Sequence, residues 1–174
     1  SYTWKAGIAN GGSAACLSYS VLLPSTFDFH TGGVLPGLYG GARPETLRGN
    51  VSTPEPAFYS RPVWTADGSL ELANRMTDAG GTNGHNIGPA THDRAPLPRG
   101  QWVRLEQEVV MNTPGQEDGI SRLWVDGKLR IENLNIVWHK ETVPHVSGVL
   151  LDVTAPGNAK FSTLRISPPV MGWK

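Results

Sequence analysis

The side chains able to bind an anion or to move a proton include two arginines, two tyrosines and a histidine that lie in or near predicted strands and a long loop. Arg61 and Arg75 each present a planar fork of N–H donors that matches a carboxylate. Tyr59 and Tyr39 can each exchange a proton or stack against a flat ligand. His85 titrates near neutral pH and is a candidate base. Residues of these types are able to bind an anion and to transfer a proton.

Each of these residues also has a structural interpretation. Arg61 and Arg75 fit equally well as solvated arginines of a sheet, and loop histidines such as His85 are more often plain surface residues. His30 lies in a glycine-rich segment and is a further candidate for ligand contact. The two interpretations stay open at this point.

Other catalytic chemistries lack their usual motifs. The sequence holds no Gly-x-Ser-x-Gly elbow, no phosphate-binding Gly-Lys-Ser/Thr loop and no His-x-x-x-His pair. Cys16 is the single cysteine, which excludes an internal disulfide and a cysteine-based zinc cage. We therefore expect no metal and no cofactor.

Strands rather than helices must position the candidate side chains, because apolar residues alternate with a period of two. The alternation is clear from Leu17 to Leu23 and from Val103 to Val109. Ile120–Val125 and Lys128–Ile131 flank Asp126-Gly127, which predicts a hairpin with a type I′ turn. Weaker strand patterns cover Ala57–Trp64, Leu70–Met76, Ile136–Lys140, Val146–Val153 and Phe161–Ile166.

These strands predict an all-β fold. The chain has 174 residues with 21 glycines and 14 prolines, and no helical period separates the strands. We expect an antiparallel two-sheet β-sandwich of the jelly-roll or lectin type. The length favours a single domain over residues 1–174. Residues 78–100 lack any period, so we expect either a binding loop or lid there, which carries His85 and His92, or a disordered segment.

The most distinctive segment runs from Phe27 to Gly41 and reads FDFHTGGVLPGLYGG. Its glycines indicate close backbone approaches or positive φ angles, as at a tight corner of a sheet. The segment resembles the hallmark of the family-14 polysaccharide lyases, which act on alginate and related uronic-acid polymers. Segments that resemble other motifs of this family occur in the same order, between Leu17 and Ile166: Leu17–Val21, Arg61–Glu71, Gly100–Gln107, Met111–Gly115 and Leu123–Gly127.

The chain departs from the family pattern at the positions that matter for catalysis. Val34 stands where the family has a lysine used in catalysis or binding. Tyr59 replaces a serine two residues before the retained Arg61, and a pair of family tyrosines falls on Ala73 and Arg75. The resemblance therefore implies the family's two-sheet jelly roll, with a concave glycan cleft, more firmly than it implies the activity.

The chemistry that the resemblance implies is β-elimination at a uronate. This reaction needs a cation to neutralise the carboxylate, a base for the adjacent C–H proton and an acid for the leaving oxygen. If Leu70–Met76 is a strand, Arg75 shares a face with Glu71, beside Arg61 on a neighbouring strand. The expected site comprises Arg61, Tyr59 and His85 as catalytic groups and His30, Tyr39 and Arg75 as substrate-binding groups.

The expected partner is an acidic polysaccharide. Fifteen basic and fifteen acidic residues give a net charge of +0 without a long basic run, so we expect no nucleic-acid partner. No apolar stretch approaches the roughly 18 residues of a membrane span, so we expect no membrane partner. The presumed substrate implies a secreted or extracellular protein. The alternatives are a non-catalytic carbohydrate-binding protein and a structural jelly roll of a surface or capsid.

Overall fold

The structure is a computed structural model that describes residues 3–4, 12–29, 32–41, 57–77, 85–87, 92–139, 145–154 and 163–173. Within these ranges it contains fourteen strands and no helix. In chain order the strands are β1 (Thr3–Trp4), β2 (Ala14–Leu22), β3 (Gly33–Val34), β4 (Gly37–Gly41), β5 (Ala57–Trp64), β6 (Leu70–Thr77), β7 (His85–Asn86), β8 (His92–Asp93), β9 (Trp102–Val110), β10 (Gly119–Val125), β11 (Lys128–Ile136), β12 (Val146–Leu150), β13 (Arg165–Ile166) and β14 (Val170–Trp173).

The strands form two antiparallel sheets, which confirms the predicted all-β jelly-roll sandwich. The front sheet has eight strands in the order β1-β12-β4-β5-β6-β7, with β3 beside β5 and β8 beside β6. The back sheet has six strands in the order β11-β10-β9-β2-β13, with β14 also beside β2. Apolar side chains from both sheets pack into one core between them.

The back sheet follows the predicted alternation. Val103, Leu105 and Val109 of β9 are fully buried in the core. The opposite face of the sheet carries charged side chains, and Arg122 there contacts Glu108 at 2.8 Å and Glu132 at 2.7 Å. This face is therefore polar, as expected for the solvent side of a sandwich.

The Asp126-Gly127 turn joins β10 and β11 as predicted. Asp126 has a φ of 50° and Gly127 a φ of 75°, both in the left-handed region. A type I′ turn requires this combination at its two central residues, because its twist then matches that of the flanking strands. The predicted hairpin is confirmed.

Strands β5 and β6 form the centre of the front sheet and nearly match their predicted bounds. Phe58 and Trp64 of β5 belong to the core, as do Leu72 and Met76 of β6. Because successive residues of a strand point to opposite faces, Tyr59, Arg61 and Arg75 lie on the face away from the core. We call this the outer face of the front sheet.

The strand predicted over Ile136–Lys140 is wrong. Strand β11 ends at Ile136, and Trp138 packs in the core with no exposed surface. Its indole Nε1 donates a hydrogen bond of 2.8 Å to the carbonyl of Val110. A buried indole N–H needs a hydrogen-bond acceptor, and Trp138 reaches this carbonyl from a position outside the strand pairing of β11.

Strands occur both in the glycine-rich segment, which is expected to form a tight corner of a sheet, and in the region that is expected to be a loop. The glycine-rich segment supplies β3 and β4, which pair with β5. In the region expected to be a loop, β7 and β8 each pair with β6. Residues 78–84 and 88–91 of that region lie outside the described residues, so the predicted lid stays a prediction.

Polar side chains cross the interior between the sheets. Ser60 Oγ donates to Asn74 Oδ1 at 2.7 Å, and Asn74 Nδ2 donates to Ser121 Oγ at 2.8 Å. Gln107 Nε2 donates to Ser60 Oγ at 2.6 Å. These four side chains, called here the interior polar network, are at most 4% exposed and connect β5 and β6 to β9 and β10.

Candidate functional site

Three of the predicted site residues form one row across the front sheet. Tyr39 of β4 is the direct partner of Tyr59 on β5, and Tyr59 is the direct partner of Arg75 on β6. Directly opposed residues of antiparallel strands bring their Cβ atoms to about 5 Å. The row continues to Gly148 of β12 on one side and to Asn86 of β7 on the other. We call it the tyrosine–arginine row.

The members of this row differ in their access to solvent. Arg75 is exposed and Tyr59 is half-buried. Tyr39 is 2% exposed, so its ring is not open to an incoming ligand in this conformation. The surface available for direct contact therefore consists of Tyr59 and Arg75, with Tyr39 beside them.

Arg61 lies on the same face two residues along β5, opposite Ala73 of β6. Its side chain is fixed by hydrogen bonds rather than exposed to solvent. Nε donates to the carbonyl of Leu35 at 2.9 Å, one terminal nitrogen contacts the Asp152 carboxylate at 3.3 Å, and the other donates to the Asp152 carbonyl. Arg61 is thus a buried part of the outer face, with 7% of its surface exposed.

Gly37 of β4 leaves room for this arginine. A Cβ at position 37 would lie 2.8 Å from the Cγ of Arg61 and 2.3 Å from the carbonyl oxygen of Ser60. Neither distance is compatible with normal packing, so only glycine fits beside Arg61. The close backbone approach that the sequence predicts for the glycine-rich segment is confirmed at this residue.

Two electrostatic effects shift the pKa of Arg61 in opposite directions. Burial lowers the pKa of its guanidinium, while the charge and hydrogen bond of Asp152 raise that pKa. Tyr19 of β2 approaches from the core side, where its hydroxyl donates to the Pro36 carbonyl at 2.9 Å. Burial raises the pKa of Tyr19 far above its ordinary value, so this tyrosine stays neutral, and it belongs to the core rather than to the outer face.

The next row along β5 is apolar on one side and acidic on the other. Val34 of β3 is the partner of Val63, and Val63 is the partner of Glu71 on β6. Glu71 is in turn the backbone partner of His92. Val34 occupies the position where the family pattern has a lysine, and this part of the outer face therefore has no cation at that position.

By backbone register, the predicted base His85 lies next to the tyrosine–arginine row rather than in it. His85 is the backbone partner of Met76, a core residue, whereas its neighbour Asn86 is the partner of Arg75. The register therefore favours Asn86 over His85 as the neighbour of the row, and the base role of His85 stays a prediction. His30 lies outside the described residues, and its predicted ligand contact is untested.

Asp152 is a site residue that the sequence did not single out. It follows β12 and interrupts the apolar run Val149-Leu150-Leu151 before Val153. A lone carboxylate in such a run is the signal that could have identified it, because a partly buried charge needs a partner. Its partner Arg61 is 91 residues away in sequence, and only the fold joins them.

In the part of the chain that the structure describes, no three His, Cys, Asp or Glu side chains gather closely enough to hold a metal ion. The same residues include no helix with the length and apolarity needed to cross a membrane.

Solved structures of polysaccharide lyases share this fold. Alginate lyase vAL-1 from Chlorella virus aligns with a TM-score of 0.75 and 22% identity, over 96% of this chain and 74% of that one. The alginate lyase from Aplysia kurodai aligns with a TM-score of 0.60 and 22% identity, over 89% of this chain and 65% of that one. The endo-β-1,4-glucuronan lyase from Trichoderma reesei aligns with a TM-score of 0.60 and 10% identity, over 98% and 71%.

No curated protein matches this chain. The sequence model of the family described as Polysaccharide lyase 14 does match it, over residues 2–160. That range includes both central strands of the front sheet and every residue of the tyrosine–arginine row. Since the match extends over most of the sequence and the two-sheet fold agrees with it, the chain belongs to the polysaccharide lyase 14 family.

Proposed function

We propose that the outer face of the front sheet binds an acidic polysaccharide and that a bound uronate is cleaved by β-elimination. The observation that carries this proposal is the tyrosine–arginine row, in which the exposed Arg75 directly opposes Tyr59 on the neighbouring strand. A cation and a proton-carrying hydroxyl are two of the groups that this reaction requires. A polymeric substrate of this kind further suggests a protein that acts outside the cell.

The reaction assigns a role to each group. A base removes the proton from the carbon next to the carboxylate, and the electron pair forms a double bond to the neighbouring carbon. The bond from that carbon to the glycosidic oxygen breaks, and an acid protonates the leaving oxygen. The exposed Arg75 supplies positive charge for the carboxylate, and Arg61 lies beside it on β5 with its charge paired to Asp152. Tyr59 is the acid or base within reach of the same sugar. His85 is the second candidate base.

The second candidate function is binding without cleavage. Val34 and Ala73 lie on the outer face at positions where the family pattern has a lysine and a tyrosine, and neither side chain can move a proton. A carbohydrate-binding protein would need the arginines and an aromatic surface but no acid or base. The substitutions at these two positions favour this alternative.

Product formation separates the two functions. The protein is incubated with alginate, polyglucuronate and related polymers, and the ultraviolet absorbance of the unsaturated product is followed over time. Calorimetric titration with the same polymers measures binding. Product formation supports the lyase, whereas binding without product supports the carbohydrate-binding protein. If there is neither product nor binding, the structural jelly-roll alternative is favoured.

The Arg75→Ala variant tests the site. Arg165→Ala is the matched control, because Arg165 is also an exposed strand arginine but belongs to the back sheet. We expect the first variant to lose binding or cleavage and the second to retain both. Equal behaviour of the two variants would contradict a site on the outer face of the front sheet.

A further inference from the structure

Asp152 is held rigidly beside the site by its neighbours in the chain. Leu150, two residues before it, pairs with Gly37 of β4. Thr154, two residues after it, forms a bridge to Val34, with Val34 N donating to the Thr154 carbonyl at 2.8 Å and Thr154 N donating to the Val34 carbonyl at 3.2 Å. The backbone of Asp152 is therefore fixed between two anchors, and so are the two oxygens that it offers to Arg61.

Arg61 is correspondingly constrained. Two of its hydrogen bonds go to backbone carbonyls, those of Leu35 and Asp152, which define the plane of the guanidinium group. The third contact is the ion pair with the Asp152 carboxylate, in which the side chains are 9% and 22% exposed. The positive charge of Arg61 thus has a negative charge 3.3 Å away, on the more exposed side of the pair.

This pairing changes what each arginine offers to an anionic ligand. A carboxylate that approaches Arg61 also approaches Asp152, and the two charges largely cancel at a distance of several ångströms. Arg75 of β6 lies opposite Tyr59, and its side chain is exposed. Arg61 and Arg75 therefore differ in their access to a ligand, because Arg61 is 7% exposed and faces the Asp152 carboxylate, whereas Arg75 is open to solvent.

We propose that Asp152 is a positioning residue, which fixes Arg61 in the outer face and compensates its charge, so that the uronate carboxylate is contacted by Arg75 rather than by Arg61. This inference rests on the proposed function. It places the carboxylate of the bound sugar over β6, next to Tyr59. It also makes Asp152 a determinant of affinity, because its charge opposes that of the polymer.

Two substitutions test the proposal by titration of the full chain with polyglucuronate and alginate at several salt concentrations. Arg75→Gln removes the contacting cation, and we expect the affinity to fall about tenfold or more, which is the effect of losing one charge-assisted hydrogen bond. Asp152→Asn keeps the shape and an acceptor oxygen but removes the charge. We expect it to raise the affinity roughly threefold to tenfold, as for one unit charge acting over about 8 Å, and to steepen the salt dependence.

If the role of Asp152 were purely structural, Asp152→Asn would lower the midpoint of thermal unfolding without changing the affinity or its salt dependence. The unfolding midpoint and the salt-dependent affinity are therefore measured for each variant. Arg165→Gln on the back sheet is the control and should bind as the unmodified protein does. Because Arg75 is exposed, Arg75→Gln tests the proposal even if Asp152→Asn proves unstable.

The outcomes separate this inference from the function on which it rests. If Arg75→Gln retains the affinity of the unmodified protein, or if Asp152→Asn folds and does not bind more tightly, the inference is overturned while polysaccharide binding stands. If the unmodified protein binds no polyuronate, the proposed function fails, and the inference fails with it. Loss of affinity in Arg75→Gln together with a gain of affinity in Asp152→Asn supports both the inference and the proposed function.

Discussion

Tyr59 combines a ring and a hydroxyl, and two substitutions separate their contributions. Tyr59→Phe keeps the ring beside Arg75 but removes the exchangeable proton. If Tyr59 is the acid or base, we expect kcat to fall about 10²-fold or more, which is the usual contribution of one such group. Binding of the polymer should change little, because the aromatic surface remains. Initial rates and calorimetric titration measure the two effects.

The companion variant is Tyr59→Ala, which removes the ring as well. If Tyr59 instead stacks against the sugar, we expect normal turnover in Tyr59→Phe and weak binding in Tyr59→Ala. That result would remove proton transfer from the role of Tyr59. It would also leave the site without an acid or base among the side chains of the row that are open to solvent.

Gly37 makes a sharp prediction about stability. In Gly37→Ala the new Cβ would lie 2.3 Å from the Ser60 carbonyl oxygen and 2.8 Å from the Arg61 side chain. The backbone of β4 must then move, and we expect a loss of about 1–3 kcal/mol in the free energy of unfolding, as in other overpacked sites. Denaturant titration measures this loss. Gly172→Ala on β14 is the control, since a Cβ there meets nothing within 4 Å, and an equal loss in both variants would exclude the clash as the cause.

At the level of strands, the turn between β5 and β6 makes the stability of the fold depend on pH. Hydrogen bonds from Ser69 and Thr65 lower the pKa of Asp67 from 3.8 to about 2. A carboxyl whose pKa is lowered in the folded state contributes stability above its ordinary pKa, and this contribution is lost as the pH falls through about 2. We expect the stability difference between the unmodified protein and Asp67→Asn to shrink between about pH 4 and pH 2. Urea unfolding at several pH values measures it, and a constant difference would contradict this role of Asp67.

The interior polar network connects the two sheets, and its central member is Asn74. Asn74→Ala removes the acceptor of the Ser60 hydroxyl and one donor to the Ser121 hydroxyl, and neither serine has any exposed surface. Ser60 keeps its bond from Gln107 and Ser121 keeps its longer bond from Asn133. For the buried hydrogen bonds that are lost, we expect a decrease of about 1–3 kcal/mol in the free energy of unfolding. Chemical denaturation measures it. Gln101→Ala, which changes an exposed amide, should lose far less, and similar losses would argue against the network.

The elements that the sequence predicts well are those whose signal is local. Strand β5 and the Asp126-Gly127 hairpin follow from alternation and turn chemistry within a few residues. Strands β3 and β4 have too many glycines for a period, and β7 and β8 are two residues long, so their pairing with β5 and β6 depends on the finished sheet. The tyrosine–arginine row could not be predicted from local patterns either, because it depends on the register of the finished sheet. The Arg61–Asp152 pair likewise joins residues that no local pattern relates.

For the molecule as a whole, the single shared core predicts how it unfolds. Residues of both sheets belong to one hydrophobic cluster, and the interior polar network joins the same sheets. We therefore expect the chain to unfold in one cooperative transition, as a single domain does. Far-ultraviolet circular dichroism reports the sheets, and fluorescence reports the six tryptophans, of which Trp64 and Trp138 are buried in the core. Their denaturation midpoints should coincide, and separated midpoints would contradict a single transition.

The contact between Gly37 and Arg61 also limits how this surface can diverge among related proteins. Two of the three atoms that a Cβ at position 37 would meet belong to the backbone, namely the Ser60 carbonyl oxygen at 2.3 Å and the Cα of Arg61 at 2.8 Å. A smaller residue at position 61 would therefore not make room for a side chain at position 37. Position 37 should stay glycine during evolution, whichever residue occupies position 61.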